Sequence, residues 1–286
     1  MRILAISDIH INHPENRALI EELPHCPEDL LLLVGDVADR YVDMEYAFSL
    51  LVPRFRKIVW VPGNHDLWTL PGSGEAEKGV ARYERLVAMC QSYGILTPED
   101  PYPVVSVAGE LIRIVPLFLL YDFSFRPAEL PFGDVGAWAA EVGTGCTDDF
   151  LLGADPYPDC SAWCQDRCET TLRRLEACQD GTATILANHF PMVEEFAGVP
   201  LVPRFTPWCG TQRSADWHIR FRARVVVTGH LHMPFTRYKD GVRFEDVSLG
   251  YPRQRLVKRP ASCYLRQILP DPASSDAVFA HRTRFH

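Results

Sequence analysis

No apolar run in the chain approaches the roughly 20 residues that a bilayer-spanning helix requires, so a membrane-spanning role is not expected. A basic, long apolar leader is missing too, because Met1-Arg2-Ile3-Leu4-Ala5-Ile6 gives way at once to Ser7 and Asp8. Nine cysteines is an odd number scattered over 286 residues, which speaks against a disulfide framework and for reduced thiols. These absences point to a cytoplasmic protein. Cys160, Cys164 and Cys168 would stack on one helix face that continues through Thr171, Leu172 and Leu175, and they read as small core residues rather than metal ligands. With no Gly/Ser-rich linker and no internal repeat, residues 1–272 are expected to form one domain, followed by a polar tail at 273–286.

Positive charge is scarce: the formal net charge is −8, which argues against nonspecific nucleic-acid binding. The deficit is uneven. From residue 201 onward, 15 Lys+Arg face 6 Asp+Glu, leaving that part at +9 and residues 1–200 at −17. The carboxyl-terminal third therefore reads either as a basic surface with a use or as an ordinary solvated face.

What the chain does have is a series of short apolar strands that each end in polar side chains. Ile58-Val59-Trp60-Val61 is a buried strand, Pro62-Gly63 ends it, and Asn64, His65 and Asp66 are expected on the loop beyond its carboxyl end. The same design recurs where Ile3–Ser7 runs into Asp8-Ile9-His10, Leu30–Val34 into Gly35-Asp36, Ala183–Ala187 into Asn188-His189, and Val225–Thr228 into Gly229-His230-Leu231-His232. Helical patterns over Asn16–Leu23, Asp43–Val52, Val80–Tyr93 and Ser161–Cys178 alternate with the strands, which predicts an α/β sheet. In open α/β sheets the carboxyl ends of strands are where ligands bind. Val104–Val107 and Leu111–Leu117 should pair as a hairpin, and Arg224–Thr228, Phe235–Tyr238, Val242–Val247 and Ser262–Leu269 are expected in a later, more antiparallel sheet. Residues 121–160 show no sustained period but carry many aromatics, and they read as an ordered lid or substrate wall.

Five of the ten histidines fall in the strand-end pieces. Imidazole, carboxylate and amide oxygens together suit first-row cations such as Mn, Fe, Co or Zn. Asp8, His10, Asp36, Asn64, His189, His230 and His232 make seven donors, too many for one ion and natural for two divalent metal ions if Asp36 bridges them. Two dications less two carboxylates leave a positive centre that can acidify a water and attract a phosphate.

In this order, D-x-H, G-D, G-N-H-D, H and G-H-x-H, the chain resembles the calcineurin-like metallophosphoesterase superfamily. The resemblance implies a four-layer αββα sandwich of two mixed sheets. It implies Asp8, His10, Asp36 and His232 around one metal and Asp36, Asn64, His189 and His230 around the other. His65 would then protonate the leaving oxygen, with Asp66 orienting it. Farther along, Trp60–Trp68, Ile114–Asp122, Trp208–Thr211, Ala215–His218 and Asp240–Glu245 are similar to the bacterial 4′-phosphopantetheinyl hydrolases, which remove the prosthetic arm of acyl carrier proteins. That closer likeness implies an acyl carrier protein as substrate and partner. It also gives the basic third a use, with Arg213, Arg220, Arg222, Arg253, Arg255 and Lys258 as a docking face for an acidic carrier. Tyr121, Phe123 and Trp208 are expected along the path of the arm. A cyclic-nucleotide phosphodiesterase, another small-molecule phosphoesterase and a silent scaffold are the alternatives.

Overall fold

Leu30-Leu31-Leu32-Leu33-Val34 is apolar at every position, which is how a strand reads when both of its faces are covered. The computed structural model, which describes residues 1–255, 257 and 259–272, places it in the middle of such a layer. The elements in chain order are β1 (Ile3–Ile6), α1 (Pro14–Glu21), β2 (Cys26–Val34), α2 (Tyr41–Leu51), β3 (Phe55–Val61), α3 (Asn64–Leu67), α4 (Gly79–Ser92), β4 (Val104–Val107) and β5 (Glu110–Pro116). They continue with α5 (Val135–Ala140), α6 (Asp148–Leu151), α7 (Cys160–Ala177), β6 (Ala183–Ala187), α8 (Trp217–Arg220), β7 (Ala223–Thr228), β8 (Phe235–Lys239), β9 (Val242–Asp246) and β10 (Arg266–Leu269). Short 3₁₀ turns fill several of the connections.

Two mixed sheets result, ordered β10-β1-β2-β3 and β4-β5-β6-β7-β9-β8. Alternate residues separate the layers. Ile3, Ala5, Leu30, Leu32, Val34, Val59 and Val61 of the first sheet meet Ile112, Ile114, Ile185, Ala187, Val225 and Val227 of the second in one apolar cluster. Their neighbours along the strands, including Leu4, Ile6, Leu31, Leu33, Trp60, Val115, Leu186 and Val226, join a second cluster with the buried faces of α1, α2, α4 and α7. The αββα sandwich is thus present. Cys164 and Cys168 are buried in that outer cluster and Cys160 packs against it, in keeping with a core role.

Two expectations need correction. The later strands are not mainly antiparallel: β7 runs parallel to both β6 and β9, β8 turns back outside β9, and β10 crosses to the first sheet beside β1. Asn64, His65 and Asp66 do not sit on an open loop either, because one helical turn, α3, begins at Asn64. The Asp66 carboxylate accepts the backbone N–H of Gly63, the residue just before that turn, at 2.9 Å.

Register brings the polar strand ends level. Ile6 pairs with Leu33 and Val34 with Val61 in parallel, and Ala187 pairs with Val227, so Asp8, Asp36, Asn64, His189 and His230 all emerge at one edge. Behind that edge Arg82, fully buried, donates to the Asp66 carbonyl (2.8 Å), the Asp39 carbonyl (2.9 Å) and the Glu75 carboxylate (2.7 Å). Removing one partner of such a group leaves the other uncompensated. Arg82→Leu should cost about 3–5 kcal/mol of unfolding free energy in denaturant titration. A cost within about 0.5 kcal/mol, ordinary for a surface site, would show that the guanidinium holds nothing together.

Candidate active site

The strand-end loops run through backbone that L-residues avoid. Asp8 (φ 52°), His10 (36°), Asp36 (52°), His230 (73°) and His232 (53°) all lie in the left-handed region. Each such residue costs on the order of 1–3 kcal/mol, and strain of this kind gathers where surrounding structure over-determines it. Gly63 and Gly229 serve close approach. A Cβ on Gly63 would come within 2.1 Å of Asp36 Oδ1, and one on Gly229 within 2.5 Å of Asp8 Oδ2.

Asp36 is the shared member of two nests. Its Oδ2 faces His10 Nε2 at 3.7 Å, and its Oδ1 faces His189 Nε2 at 3.4 Å. On the first side His232 Nε2 lies 3.0 Å from Asp8 Oδ1 and 3.1 Å from His10 Nε2. Asp8, His10, Asp36 and His232 each offer a donor atom within 4.8 Å of the others. On the second side Asn64 Oδ1 sits 3.2 Å from His189 Nε2 and 3.3 Å from His230 Nδ1. All seven donors expected from the sequence are brought together.

Electrostatics explains why this edge calls for cations. Burial alone would raise the carboxyls of Asp8 and Asp36, yet His232 beside Asp8 and His189 beside Asp36 hold both below the usual carboxylate range. Burial opposes charge on His189, but Asp36 overrides it and lifts the ring to about 10. For His230 burial wins, reinforced by His189, and the ring falls to about 3. His10 Nδ1 and His230 Nε2 are buried without a hydrogen-bond partner. Two buried carboxylates and the imidazole nitrogens that converge on them, His10 Nε2, His189 Nε2, His230 Nδ1 and His232 Nε2, fit divalent cations, which offset the buried negative charge.

Residues around the nests fix their orientation, as outer-shell partners of metal ligands do. His189 Nδ1 donates to the Val34 carbonyl (2.9 Å), and His232 Nδ1 to Gln254 Oε1 (2.7 Å), turning both Nε2 atoms inward. Asp148 Oδ1 accepts from Asn64 Nδ2 (2.9 Å) and Trp68 Nε1 (2.6 Å), so the Asn64 oxygen points to the histidines.

His65 stands beside both nests, its Nε2 4.0 Å from Asp36 Oδ2. Asp66 does not orient it, which corrects the expectation. The Asp66 carboxylate instead accepts from the backbone of Val37, Ala38 and Gly63, and burial with the nearby Asp36 charge pushes it up to about 7. Asp39 takes the orienting place, with Oδ1 2.8 Å from His65 Nδ1, and the Tyr251 hydroxyl lies 3.1 Å from His65 Nε2. The Tyr251 ring also stacks on His10, with centroids 4.5 Å apart. Sequence reasoning missed Asp39, Tyr251, Gln254 and Asp148. The only local hints are a second carboxylate three residues after Asp36 and the Gly250-Tyr251-Pro252 turn.

The expected substrate contacts fare differently. Tyr121 and Trp208 are buried, and Trp208 lies behind Phe205, donating its indole N–H to Asp149 (3.0 Å). Phe123 packs edge-on against both. None of the three lines either cavity that opens from the site among the described residues. Arg213 is ion-paired to Asp122 at 3.3 Å. Arg220 pairs with Glu176, and Arg220 and Arg222 precede β7 whereas His230 follows it, so a six-residue strand, about 20 Å, separates them from the site. Of the proposed docking face only Arg253 and Arg255 border the site, and Lys258 lies outside the described residues.

The model of the calcineurin-like phosphoesterases matches residues 1–234, and the chain belongs to that family. Over 270 residues it is 46% identical to the [acyl-carrier-protein] phosphodiesterase PptH of Mycobacterium tuberculosis, covering 94% of this chain and 83% of that protein. It also matches the crystal structure of the M. tuberculosis phosphopantetheinyl hydrolase PptH, with a TM-score of 0.90 and 44% identity over 95% of this chain and 96% of the other.

Burial opposes a proton on His65, but the Asp36 charge and the Asp39 hydrogen bond outweigh it and raise the ring above its ordinary value. A histidine that must donate a proton stops working as pH rises through its pKa. Asp39→Asn lowers that pKa, so the alkaline limb of kcat/KM for an alkyl diester should move to lower pH. An unmoved limb would remove Asp39 from this role.

Proposed function

We propose that this protein hydrolyses the phosphodiester between a carrier-protein serine and 4′-phosphopantetheine, releasing the apo-carrier and 4′-phosphopantetheine. The likeness to PptH across 94% of the chain carries the substrate. In this reading Asp8, His10, Asp36 and His232 hold one divalent ion, and Asp36, Asn64, His189 and His230 a second. The imidazole-rich donor set favours Mn, Fe, Co or Zn over Mg or Ca. Bound there, the two ions supply Lewis acidity and an activated water for attack on phosphorus.

The chain's own residues supply the rest. Serine alkoxide is a poor leaving group, so the reaction needs an acid, and His65 carries its proton at Nε2 with Asp39 fixing Nδ1. As the water oxygen bonds to phosphorus and the phosphorus–serine oxygen bond breaks, the serine oxygen takes that proton. One water proton restores His65 and the other stays on the phosphomonoester. Residues 1–272 act as one catalytic domain, with residues 121–160 forming a lid whose Asp148 reaches the site. All nine cysteines are free, which supports a reducing, cytoplasmic setting.

Incubation of the metal-loaded protein with holo-acyl carrier protein should remove the phosphopantetheinyl mass and yield 4′-phosphopantetheine, read by mass spectrometry. No conversion of any holo-carrier, alongside rapid hydrolysis of a cyclic nucleotide, would replace this function with that of a cyclic-nucleotide phosphodiesterase. His65→Ala should keep its metals and lose roughly 10²–10⁴-fold in rate on an alkyl diester, the span of a positioned acid. The loss should shrink for an aryl leaving group, which needs no proton, and an equal loss for both would make the role of His65 electrostatic alone. Because the carrier is acidic, its KM should rise steeply with salt while that of a small diester hardly changes.

A further inference from the structure

Among the described residues, two cavities open from the site, and they differ in chemistry. A slot of about 330 Å³ leaves on the Asn64 and His230 side, between Gly143–Asp148 on one wall and Val199, Val202 and Phe205 on the other. A cleft of about 1150 Å³ leaves on the His10 side, past Glu15, Asp39, Arg253, Arg255 and Arg259. His65 and Tyr251 line both and stand at the junction.

We infer that the slot binds the pantetheine arm of the substrate and that the charged cleft receives the folded carrier. The inference rests on the carrier-protein reading above and adds where each half of the substrate lies. Apart from the residues of the site and its supporting Asp148, the described lining of the slot contains no charged side chain. Uncharged walls suit an uncharged chain: the arm is a run of methylenes with two amides, a hydroxyl, a dimethyl group and a terminal thiol, whereas an acidic protein surface would lose solvation there without a partner. The slot's volume falls at the low end of the range for small-molecule sites, about 300–1,000 Å³. The segments that carry its two walls are tied to each other. Arg204, close after Val202, pairs with Glu141 at 2.7 Å, donates to the Trp138 carbonyl and lies 4.7 Å over the Trp138 ring. At the mouth Val202 is exposed, an apolar contact ready for a ligand.

This placement sets which of the two ester oxygens faces the cleft. His65 lines both cavities, and its Nε2, 3.1 Å from the Tyr251 hydroxyl, stands at their junction within reach of either ester oxygen. With the arm in the slot, the serine oxygen is the one on the cleft side, and it takes the proton on His65 Nε2 as its bond to phosphorus breaks. The phosphate stays on the pantetheine.

The test compares competitive inhibition by 4′-phosphopantetheine with inhibition by inorganic phosphate, using an aryl diester as reporter substrate. Phosphate reads the site alone, so the ratio of the two inhibition constants isolates the arm. Val202→Trp fills the slot and should raise that ratio about tenfold, or ~1.4 kcal/mol. If that variant does not fold, Thr144→Trp on the facing wall makes the same test. Arg253→Glu in the cleft should leave the ratio near its starting value and raise KM for holo-carrier. An unchanged ratio in the slot variant, or a ratio raised only by Arg253→Glu, overturns the assignment. Failure to convert holo-carrier would strike the proposed function instead, because the inhibition ratio does not depend on carrier turnover.

Discussion

The site depends on one buried carboxylate that must serve two sides at once. Asp36 is 2% exposed, and its two oxygens face opposite nests while Oδ1 also accepts the backbone N–H of His65 at 2.9 Å. A side chain so placed leaves no slack in the backbone that carries it. Asp36 therefore takes a left-handed conformation, and Gly63 must lack a side chain because its backbone passes against that carboxylate. The same crowding recurs at Gly229 against Asp8. Strain in these loops is bearable because the parallel strands beneath them are apolar on both faces and fixed in register.

Support for the site comes from every part of the chain. Val34 on β2 sets one histidine, Gln254 near the carboxyl end sets another, and Asp148 in the segment after β5 sets the Asn64 amide. Asp39 and Tyr251 hold the two nitrogens of His65 from opposite directions. The contacts to His189, His232 and Asn64 also turn a ring or amide so that its free donor atom points inward. A site assembled from such distant pieces exists only when both sheets are complete.

That dependence explains what the sequence could and could not disclose. The strands, the helices and the seven converging donors were legible, because a polar residue closing an apolar strand is a local pattern and parallel pairing then brings the ends level. β6 was bounded to the residue for the same reason. The partners of those donors were not legible. Tyr251 lies 186 residues from His65 and Asp148 lies 84 from Asn64, so no local spacing links them. Asp66 misled because adjacency to His65 suggested contact, whereas the helical turn at Asn64 points its carboxylate back to the backbone of Val37 and Ala38. Tyr121 and Trp208, expected along the path of the arm, went into packing, the usual fate of large apolar rings.

Charge needed the same correction by geometry. Counting places +9 beyond residue 200, but among the described residues the fold sets arginines at both ends of the second sheet. Arg220 and Arg222 occupy the end where β7 begins, and Arg253 and Arg255 border the end where the polar loops lie. A field at the site decays over a Debye length of about 8 Å at physiological salt, far less than a strand's length. Only the charges at the carboxyl ends of the strands can therefore steer a partner into the site, and the net charge of the segment has little bearing on how the partner docks.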